Sequence, residues 1–93
     1  MEKQWVLYIL RCKDDTLYTG ITDDLQRRLA AHRAGKGAKY TRGRSPLNLE
    51  YVEVCIDRSH ALKRELAVKA LPRRMKLALC QSYMENRNKE EIR

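Results

Sequence analysis

Apolar and polar positions near the start of the chain predict a β-hairpin. Residues 5–11 form an apolar run with β-branched and aromatic members, and residues 16–22 form a second strand-like run. Polar residues 13–15 lie between the two runs and predict a turn. If the loop has an odd number of residues, Tyr8 and Tyr18 lie on the same face of the sheet, whereas a two-residue loop places them on opposite faces.

After the hairpin the pattern changes to that of a helix. Leu25, Leu29 and His32 recur at spacings of four and three residues, which predicts a helix over residues 23–34. Residues 35–46 then form a glycine-containing basic loop with little apolar content of its own. We expect this loop to be mobile until it meets a ligand.

The rest of the chain predicts one further strand and two further helices. Their ranges are 47–56 for the strand, 57–71 for the second helix and 72–84 for the third. Residues 85–93 are polar and charged and predict a fraying C-terminal tail, so residues 1–84 are expected to form a single domain. The order β-β-α-β-α-α predicts an α+β fold in which helices flank a small three-stranded antiparallel sheet.

Charge adds a class of partner to this picture. The 93 residues include 20 Lys and Arg against 12 Asp and Glu, a net charge of +8. No acidic residue falls between Leu25 and Leu49, whereas the cations there are Arg27, Arg28, Arg33, Lys36, Lys39, Arg42 and Arg44. This clustering predicts a basic surface for a phosphate-rich partner, with an ordinary basic, soluble protein as the alternative.

Cysteine usage and hydropathy bear on the compartment. Cys12, Cys55 and Cys80 are odd in number and widely spaced, without the paired spacing of a zinc site, so we predict reduced cysteines in the core. The apolar run at residues 5–10 is far too short to span a bilayer. We therefore expect a soluble cytoplasmic protein with neither a signal peptide nor a membrane anchor.

The first predicted helix carries two polar side chains on its inward stripe. Arg28 and His32 share that stripe with Leu25 and Leu29, which must face the sheet, whereas Arg27 points well away from it. An arginine at the edge of an apolar face needs an anionic partner or an exit to water. Arg28 is therefore either a phosphate contact or a side chain that extends along the edge of the core.

Glu65 in the second predicted helix allows two interpretations. It shares a face with Leu62 and Lys69, and a Glu–Lys pair at this spacing is a common surface stabiliser worth about 0.3–0.5 kcal/mol. Alternatively, a single carboxylate can hold Mg²⁺ when water and a substrate phosphate supply the other ligands.

These residues together resemble a known family. The segments LYI at residues 7–9 and YTG at 18–20, followed by Arg28 and Glu65, are similar in order and spacing to the GIY-YIG nuclease superfamily. Over roughly residues 4–80, the chain more closely resembles the small stand-alone bacterial GIY-YIG proteins. The segments that carry this likeness are YTGIT, the RR pair, the following histidine, GKGAKYTR and DRSHALKRE.

The resemblance implies a metal-dependent phosphodiesterase that cuts DNA, on a three-stranded antiparallel sheet flanked by helices. It implies that Tyr18 is the general base or holds the nucleophilic water, and that Tyr8 supports that water. It further implies that Arg28 contacts phosphate or helps to activate the nucleophile, and that Glu65 binds one divalent metal, Mg²⁺ or Mn²⁺. His32 matches a position that is often functional in relatives.

Elementary chemistry leaves the proton acceptor open. Negative charge grows on a phosphodiester at the transition state, so a metal and a guanidinium beside it favour that state. Tyrosine has an ordinary pKa of about 10, so Tyr18 is a base near neutral pH only if its neighbours lower that pKa. Otherwise Tyr18 orients the water and His32, whose ordinary pKa is closer to neutral, takes the proton.

The remaining candidates concern substrate binding. Gly20 is expected to clear space beside Tyr18, and Tyr40 either stacks on a base or packs on its own domain. The cations expected to follow a nucleic-acid backbone are Arg27, Lys36, Lys39, Arg42 and Arg44.

Three hypotheses follow. The leading one is a divalent-metal-dependent endonuclease that hydrolyses DNA, in repair or recombination, as a monomer or weak dimer with a protein partner that supplies specificity. The alternative is a nucleic-acid-binding accessory module of the same fold with little or no hydrolytic activity. The third is a small structural protein whose basic face docks an acidic partner.

Overall fold

The computed structural model describes the backbone of residues 4–91 and the side chains of residues 4–87. Its elements are the strands β1 Val6–Arg11, β2 Leu17–Thr22 and β3 Asn48–Val54, the helices α1 Leu25–Arg33, α2 Arg58–Lys69 and α3 Arg73–Glu91, and a short 3₁₀ turn at Lys39–Thr41. The strands form one antiparallel sheet in the order β2-β1-β3. The predicted α+β fold with a three-stranded antiparallel sheet is confirmed.

The hairpin register places the two tyrosines together. Arg11 pairs with Leu17, so residues 12–16 form the loop, an odd number. Tyr8 lies opposite Gly20, and Tyr18 lies two residues away from Gly20 on the same strand. Side chains alternate between faces along a strand, so both tyrosines lie on one face. The odd-loop alternative is therefore the observed one.

Each face of the sheet is covered by different helices. On one face, Leu25 and Leu29 of α1 pack against Tyr8 and Leu10. On the other, α2 and α3 close an apolar core that contains Leu7, Ile9, Cys55, Ala61, Val68 and Cys80. With no Phe in the chain, aliphatic side chains supply most of this burial, at about 1.5–3 kcal/mol for each fully buried large side chain.

Side-chain caps fix where the helices begin. The carboxylate of Asp24 accepts a hydrogen bond from the Arg27 amide at 3.2 Å, and Asp57 accepts one from the His60 amide at 2.8 Å. These caps satisfy amides that have no partner within the helix. Helix α1 therefore begins after Asp24, two residues later than the pattern predicts, and Gly35 follows its end with a φ of 75°.

The end of α3 differs from the prediction. The helix continues past Met84 to Glu91, so residues 85–91 extend α3 where a fraying tail was expected. The segment contains no glycine or proline, and the Gln81 amide donates to the Glu85 carboxylate at 3.2 Å across one turn. Residues 92–93 of the expected tail lie outside the described residues.

Two compositional predictions concern the cysteines and hydropathy. Cys12, Cys55 and Cys80 are free and buried, as predicted. Over residues 4–91, no helix combines the length and apolar character that a bilayer crossing requires.

Candidate active site

A chain of hydrogen bonds runs through the α1 face of the sheet. The Tyr8 hydroxyl lies 2.9 Å from His32 Nε2, and His32 Nδ1 lies 2.9 Å from Thr41 Oγ1. The Thr41 hydroxyl donates its one hydrogen to the Ala38 carbonyl at 2.9 Å, so its oxygen must accept from Nδ1–H. Nε2 is then the unprotonated nitrogen and accepts the Tyr8 hydrogen. The network thus selects one neutral tautomer of His32.

The electrostatic environment favours the same protonation states. Burial lowers the pKa of His32, and the positive charge of Arg28 lowers it further. Burial raises the pKa of Tyr8 to about 12, although the neighbouring Arg28 guanidinium opposes that rise. At neutral pH, Tyr8 is therefore a donor and His32 a neutral acceptor.

Exposure separates the three rings of the cluster. Tyr8 and His32 are 0% and 1% exposed, whereas Tyr18 is half-buried. The Tyr18 ring lies edge-on to His32, with ring centres 5.3 Å apart, and 6.2 Å from the centre of the Tyr8 ring. A substrate can therefore touch Tyr18 directly, while Tyr8 and His32 act from behind it.

Arg28 lies at the open side of this cluster. The Tyr8 hydroxyl raises the pKa of Arg28, and Tyr18 raises it to a lesser extent. The guanidinium therefore lies close to both tyrosines. Together with Arg27 it lines a cavity of about 370 Å³ between the end of β2 and the start of α1, whose other walls are Thr22, Asp23, Asp24 and Ala31. Arg28 thus connects the tyrosine hydroxyls to an open, arginine-lined depression, and Arg27 shares that depression.

Gly20 has a packing reason to be glycine. A Cβ at this position would lie 2.6 Å from the Tyr8 hydroxyl oxygen and 2.8 Å from the adjacent ring carbon. Any side chain there would displace the ring that holds His32 in its tautomer. The expected clearing of space is therefore directed at Tyr8, and a direct substrate contact by Gly20 stays a prediction.

Glu65 projects from the opposite face of the sheet. Its side chain is 18% exposed, and its carboxylate lies 3.4 Å from the ammonium of Lys69. Lys69 in turn lines a cavity with Tyr18 at the free edge of β2. Lys69 thus contacts Glu65 and shares a cavity with Tyr18, and the Glu–Lys pair expected from the spacing is present.

The donor set at Glu65 restricts which ion it can hold. Within residues 4–87, no three His, Cys, Asp or Glu side chains are grouped as metal ligands. One carboxylate fits Mg²⁺ or Mn²⁺, ions that take their remaining ligands from water and a substrate phosphate. It does not fit a structural zinc site, which needs four protein ligands.

The predicted phosphate-contacting cations fall into two groups. Lys36, Lys39 and Arg42 are exposed on the loop that follows α1. Arg44 instead pairs with Asp14 of the hairpin turn and lies over the Tyr40 ring, 4.4 Å from its centre. Arg44 thus ties the loop to the hairpin, and a phosphate contact by Arg44 would have to compete with Asp14.

Tyr40 packs on its own domain, one of the two alternatives open from the sequence. Its ring stacks near-parallel on Tyr18, at 27° with ring centres 5.9 Å apart. This contact, with the buried Thr41 beside it, holds the basic loop against the candidate site.

Sequence reasoning missed two residues that hold His32. Thr41 orients its Nδ1 side, and Gly37 lies flat against the ring, where a Cβ would be 2.7 Å from His32 Cγ. The signal available was the segment GKGAKYT itself, in which a glycine and a hydroxyl follow the histidine at short range. The basic residues of the same segment indicate phosphate binding, which is the role predicted for them.

Comparison with known proteins places this geometry in a family context. The model for the GIY-YIG catalytic domain matches residues 4–78, a range that contains Tyr8, Tyr18, Arg28 and Glu65. A UPF0213 protein of Oceanobacillus iheyensis is 52% identical over 79 residues, which cover 85% of this chain and 92% of the relative. A UPF0213 protein of Halobacterium salinarum is 51% identical over 73 residues, covering 78% and 95%. The name UPF0213 states no activity.

Two solved structures are similar to this fold. The solution NMR structure of a protein from E. faecalis has a TM-score of 0.62 and 39% identity, and the match covers 90% of this chain and 92% of that protein's chain. The solution NMR structure of a UPF0213 protein from Bacillus halodurans has a TM-score of 0.55 and 45% identity, covering 84% and 83%. The sheet and flanking helices are thus shared with these small proteins.

Proposed function

The chain belongs to the GIY-YIG nuclease family, and from that premise we propose that it is a divalent-metal-dependent endonuclease that hydrolyses phosphodiester bonds of DNA. The observation that carries the proposal is the polar cluster on the α1 face. Tyr18 is its accessible ring, Arg28 lies at its open side, and the buried pair of Tyr8 and His32 stands behind.

Arg28 is the phosphate-binding group in this proposal. A guanidinium presents a rigid fork of N–H donors that matches two phosphate oxygens at once. Negative charge on those oxygens grows as the nucleophile attacks, so the fixed positive charge stabilises the transition state more than the bound substrate. Its half-buried position limits screening by water and strengthens the interaction.

The hydroxyls provide a path for the proton of the attacking water. In this proposal Tyr18 accepts a proton from water and passes its own to the Tyr8 hydroxyl, a step that requires the two hydroxyls to come within hydrogen-bond distance in the substrate complex. Tyr8 passes its hydrogen to His32 Nε2, which already accepts its hydrogen bond. The hydroxide forms a bond to phosphorus, the ester oxygen leaves with the electrons of the broken bond, and solvent protonates it. The two tyrosines are thereby unchanged, and His32 holds the proton until release.

Glu65 is the candidate ligand of the divalent ion. When bound, Mg²⁺ or Mn²⁺ supplies Lewis-acid stabilisation of the phosphate oxygens. The contribution of the chain would be a single carboxylate on α2, paired with Lys69 at 3.4 Å.

The exposed cations suit backbone contacts without base recognition. Arg27, Lys36, Lys39 and Arg42 are exposed around the α1 face, and none forms an ion pair with another described side chain. Such charges bind nucleic acid through its phosphates, independently of sequence. We therefore propose that a protein partner supplies specificity in repair or recombination, and that the protein acts as a monomer or weak dimer in the reducing cytoplasm.

A cleavage assay tests the endonuclease. Supercoiled, branched and single-stranded DNA are incubated with Mg²⁺ or Mn²⁺ and the purified protein, beside Glu65→Ala and Tyr18→Phe. Matched controls are Glu85→Ala, an exposed glutamate of α3, and Tyr83→Phe, a tyrosine that packs on Tyr51 at the other face. Loss of cleavage in the first pair alone supports the proposal. Equal activity in all four variants would mean that the cleavage comes from a contaminant or another site.

The second candidate is a binding module without hydrolysis. The exposed cations favour it, because they require no reaction at Glu65 or Tyr18. Binding that survives Glu65→Ala, falls on charge reversal at Lys39 and Arg42, and weakens steeply with salt, with no cleavage of any substrate, would establish this alternative. Absence of binding to any nucleic acid at low salt would reject both candidates.

A further inference from the structure

A second cavity lies at the free edge of β2. Its volume is about 250 Å³, and it lies beside the candidate site without including Arg28. Three consecutive β2 residues, one loop tyrosine and two helical lysines line it: Leu17, Tyr18, Thr19, Tyr40, Lys69 and Lys76. It therefore joins both sides of the sheet at the accessible tyrosine.

Lys76 is one of the two lysines that line this cavity. It is half-buried on α3, and none of the ion pairs within residues 4–87 includes it. A lysine can bury its aliphatic stem, but its ammonium then needs an anion or water at the tip. An anion bound in the cavity would therefore lie beside the Lys76 side chain.

Lys69 brings a second positive charge to the same cavity. Its ammonium lies 3.4 Å from the Glu65 carboxylate, and Lys69 lines the cavity together with Lys76 from a different helix. Two ammonium groups around a small space repel each other, and an anion placed between them removes that repulsion. The charge balance of the cavity therefore favours a further anionic group.

The aromatic wall fixes where that anion lies relative to the reaction. Tyr18 and Tyr40 stack on one another, and both line the cavity. Tyr18 also contacts the Tyr8 and His32 rings of the candidate site. An anion beside the lysines is thus separated from the reacting phosphate by little more than one tyrosine ring.

We propose that this cavity binds the phosphate of a nucleotide adjacent to the one whose bond is cut, through Lys69 and Lys76. The inference rests on the proposed function and specifies its substrate contact: the strand enters past Arg28 and leaves along the edge of β2. Neither lysine was among the phosphate-binding residues predicted from the sequence. The alternative role of Lys69, neutralising Glu65, does not explain Lys76.

Salt dependence of binding provides the first test. Affinity for a fluorescent DNA oligonucleotide is measured without divalent metal, so that the strand is not cut, over a range of salt concentrations. The logarithm of the association constant falls linearly with the logarithm of the salt concentration, and each lost phosphate contact makes this slope shallower by about one. We expect a decrease of about two for Lys69→Gln/Lys76→Gln. Lys63→Gln/Arg74→Gln, which removes two exposed cations from the same helices, should lower the slope by less than one.

A neutral phosphate in the substrate provides the second test. A methylphosphonate is placed in turn at each position around the cut that the cleavage assay maps on branched DNA, and wild-type affinity for this DNA should fall most at one flanking position. The double variant should be insensitive at that position, because the lysines that recognise its charge are absent. Lys76→Gln alone keeps the Glu65–Lys69 pair and should lower the slope by about one, and Lys76→Arg should restore it.

The outcomes separate this inference from the proposed function. One outcome would reject the cavity inference alone: the wild type binds and cuts DNA, but Lys69→Gln/Lys76→Gln has the same salt slope as Lys63→Gln/Arg74→Gln and keeps the methylphosphonate effect. The proposed endonuclease would then still stand. If the wild type binds no DNA in a salt-dependent manner, both fail. Should the double variant not fold by circular dichroism, Lys76→Gln and Lys76→Arg decide the result.

Discussion

The two faces of the sheet are buried to a similar degree but differ in chemistry. The face under α2 and α3 is apolar, with Leu7, Ile9 and Val68 at 0% exposure. The face under α1 buries Tyr8, His32 and Thr41, all hydrogen-bonded. In the part of the chain with described side chains, no buried polar atom lacks a partner. The polar face therefore depends on specific hydrogen-bond partners, whereas the apolar face depends on packing alone.

Truncation on the apolar face should produce the largest loss of stability. Leu7→Ala removes a fully buried side chain and leaves a cavity, so the free energy of unfolding should fall by about 2–5 kcal/mol. The cleavage rate of the fraction that remains folded should be unchanged, since Leu7 points away from Tyr18. Denaturant unfolding and single-turnover cleavage measure the two quantities. A loss of cleavage in fully folded protein would contradict this division between faces.

A change at the open side of the polar face should slow cleavage strongly and alter stability little, the reverse of Leu7→Ala. Arg28→Lys keeps the charge but removes the guanidinium fork, so single-turnover cleavage should slow by about 10²–10³-fold. Stability should change little, because the side chain is half-buried at the edge of the core. Arg27→Lys is the matched control and should slow cleavage far less. Equal effects of both substitutions would assign the two arginines to one shared binding surface.

Removing one hydroxyl should affect both quantities. Tyr8→Phe leaves His32 Nε2 without its donor inside the protein, which should cost about 1–3 kcal/mol of unfolding free energy. Cleavage should fall by about 10²–10⁴-fold if the Tyr8–His32 pair accepts the proton. Tyr51→Phe, which removes a hydroxyl that donates to Glu53, is the control outside the site. A Tyr8→Phe protein that cleaves normally would exclude the proposed proton path.

The smallest effect concerns pH. The pKa of His32 is lower in the folded protein than in the unfolded chain, where it is about 6.5, so the unfolded state binds the proton first as pH falls. This contribution to stability is therefore complete above about pH 6.5 and decreases as pH falls toward the pKa of the folded state. Unfolding free energies between pH 7.5 and about 5 should show a decrease that His32→Gln removes and His60→Gln retains. A decrease of the same size in His32→Gln would assign it to other groups.

Local patterns in the sequence predicted most of the fold. Helix α1 followed from the spacing of Leu25, Leu29 and His32, whereas the odd hairpin loop that sets the register was one of two alternatives open from the sequence. The end of α3 was missed because polar composition was taken as a sign of fraying, whereas Glu, Lys and Arg also favour helices.

The candidate site was less accessible to sequence reasoning. Tyr8, Tyr18 and Arg28 lie together as the family resemblance implies, whereas hairpin alternation alone allowed the tyrosines on the same or on opposite faces. The role of Thr41 was not predicted, because its contact with His32 depends on how residues 35–46 return to the domain. Lys69 and Lys76 meet at the edge of β2 through the packing of α2 and α3 on the sheet, which no local sequence pattern predicts.

The hydrogen bond from Thr41 to Ala38 has a consequence for how this protein can vary. The acceptor is a main-chain carbonyl, and Ala38 has φ −65° and ψ 145°, a conformation open to every residue type. The tautomer of His32 therefore depends on the path of the backbone and not on the side chain at position 38. Substitutions there can accumulate without altering the proton state of the site, whereas an insertion or deletion in residues 37–41 would alter it at once.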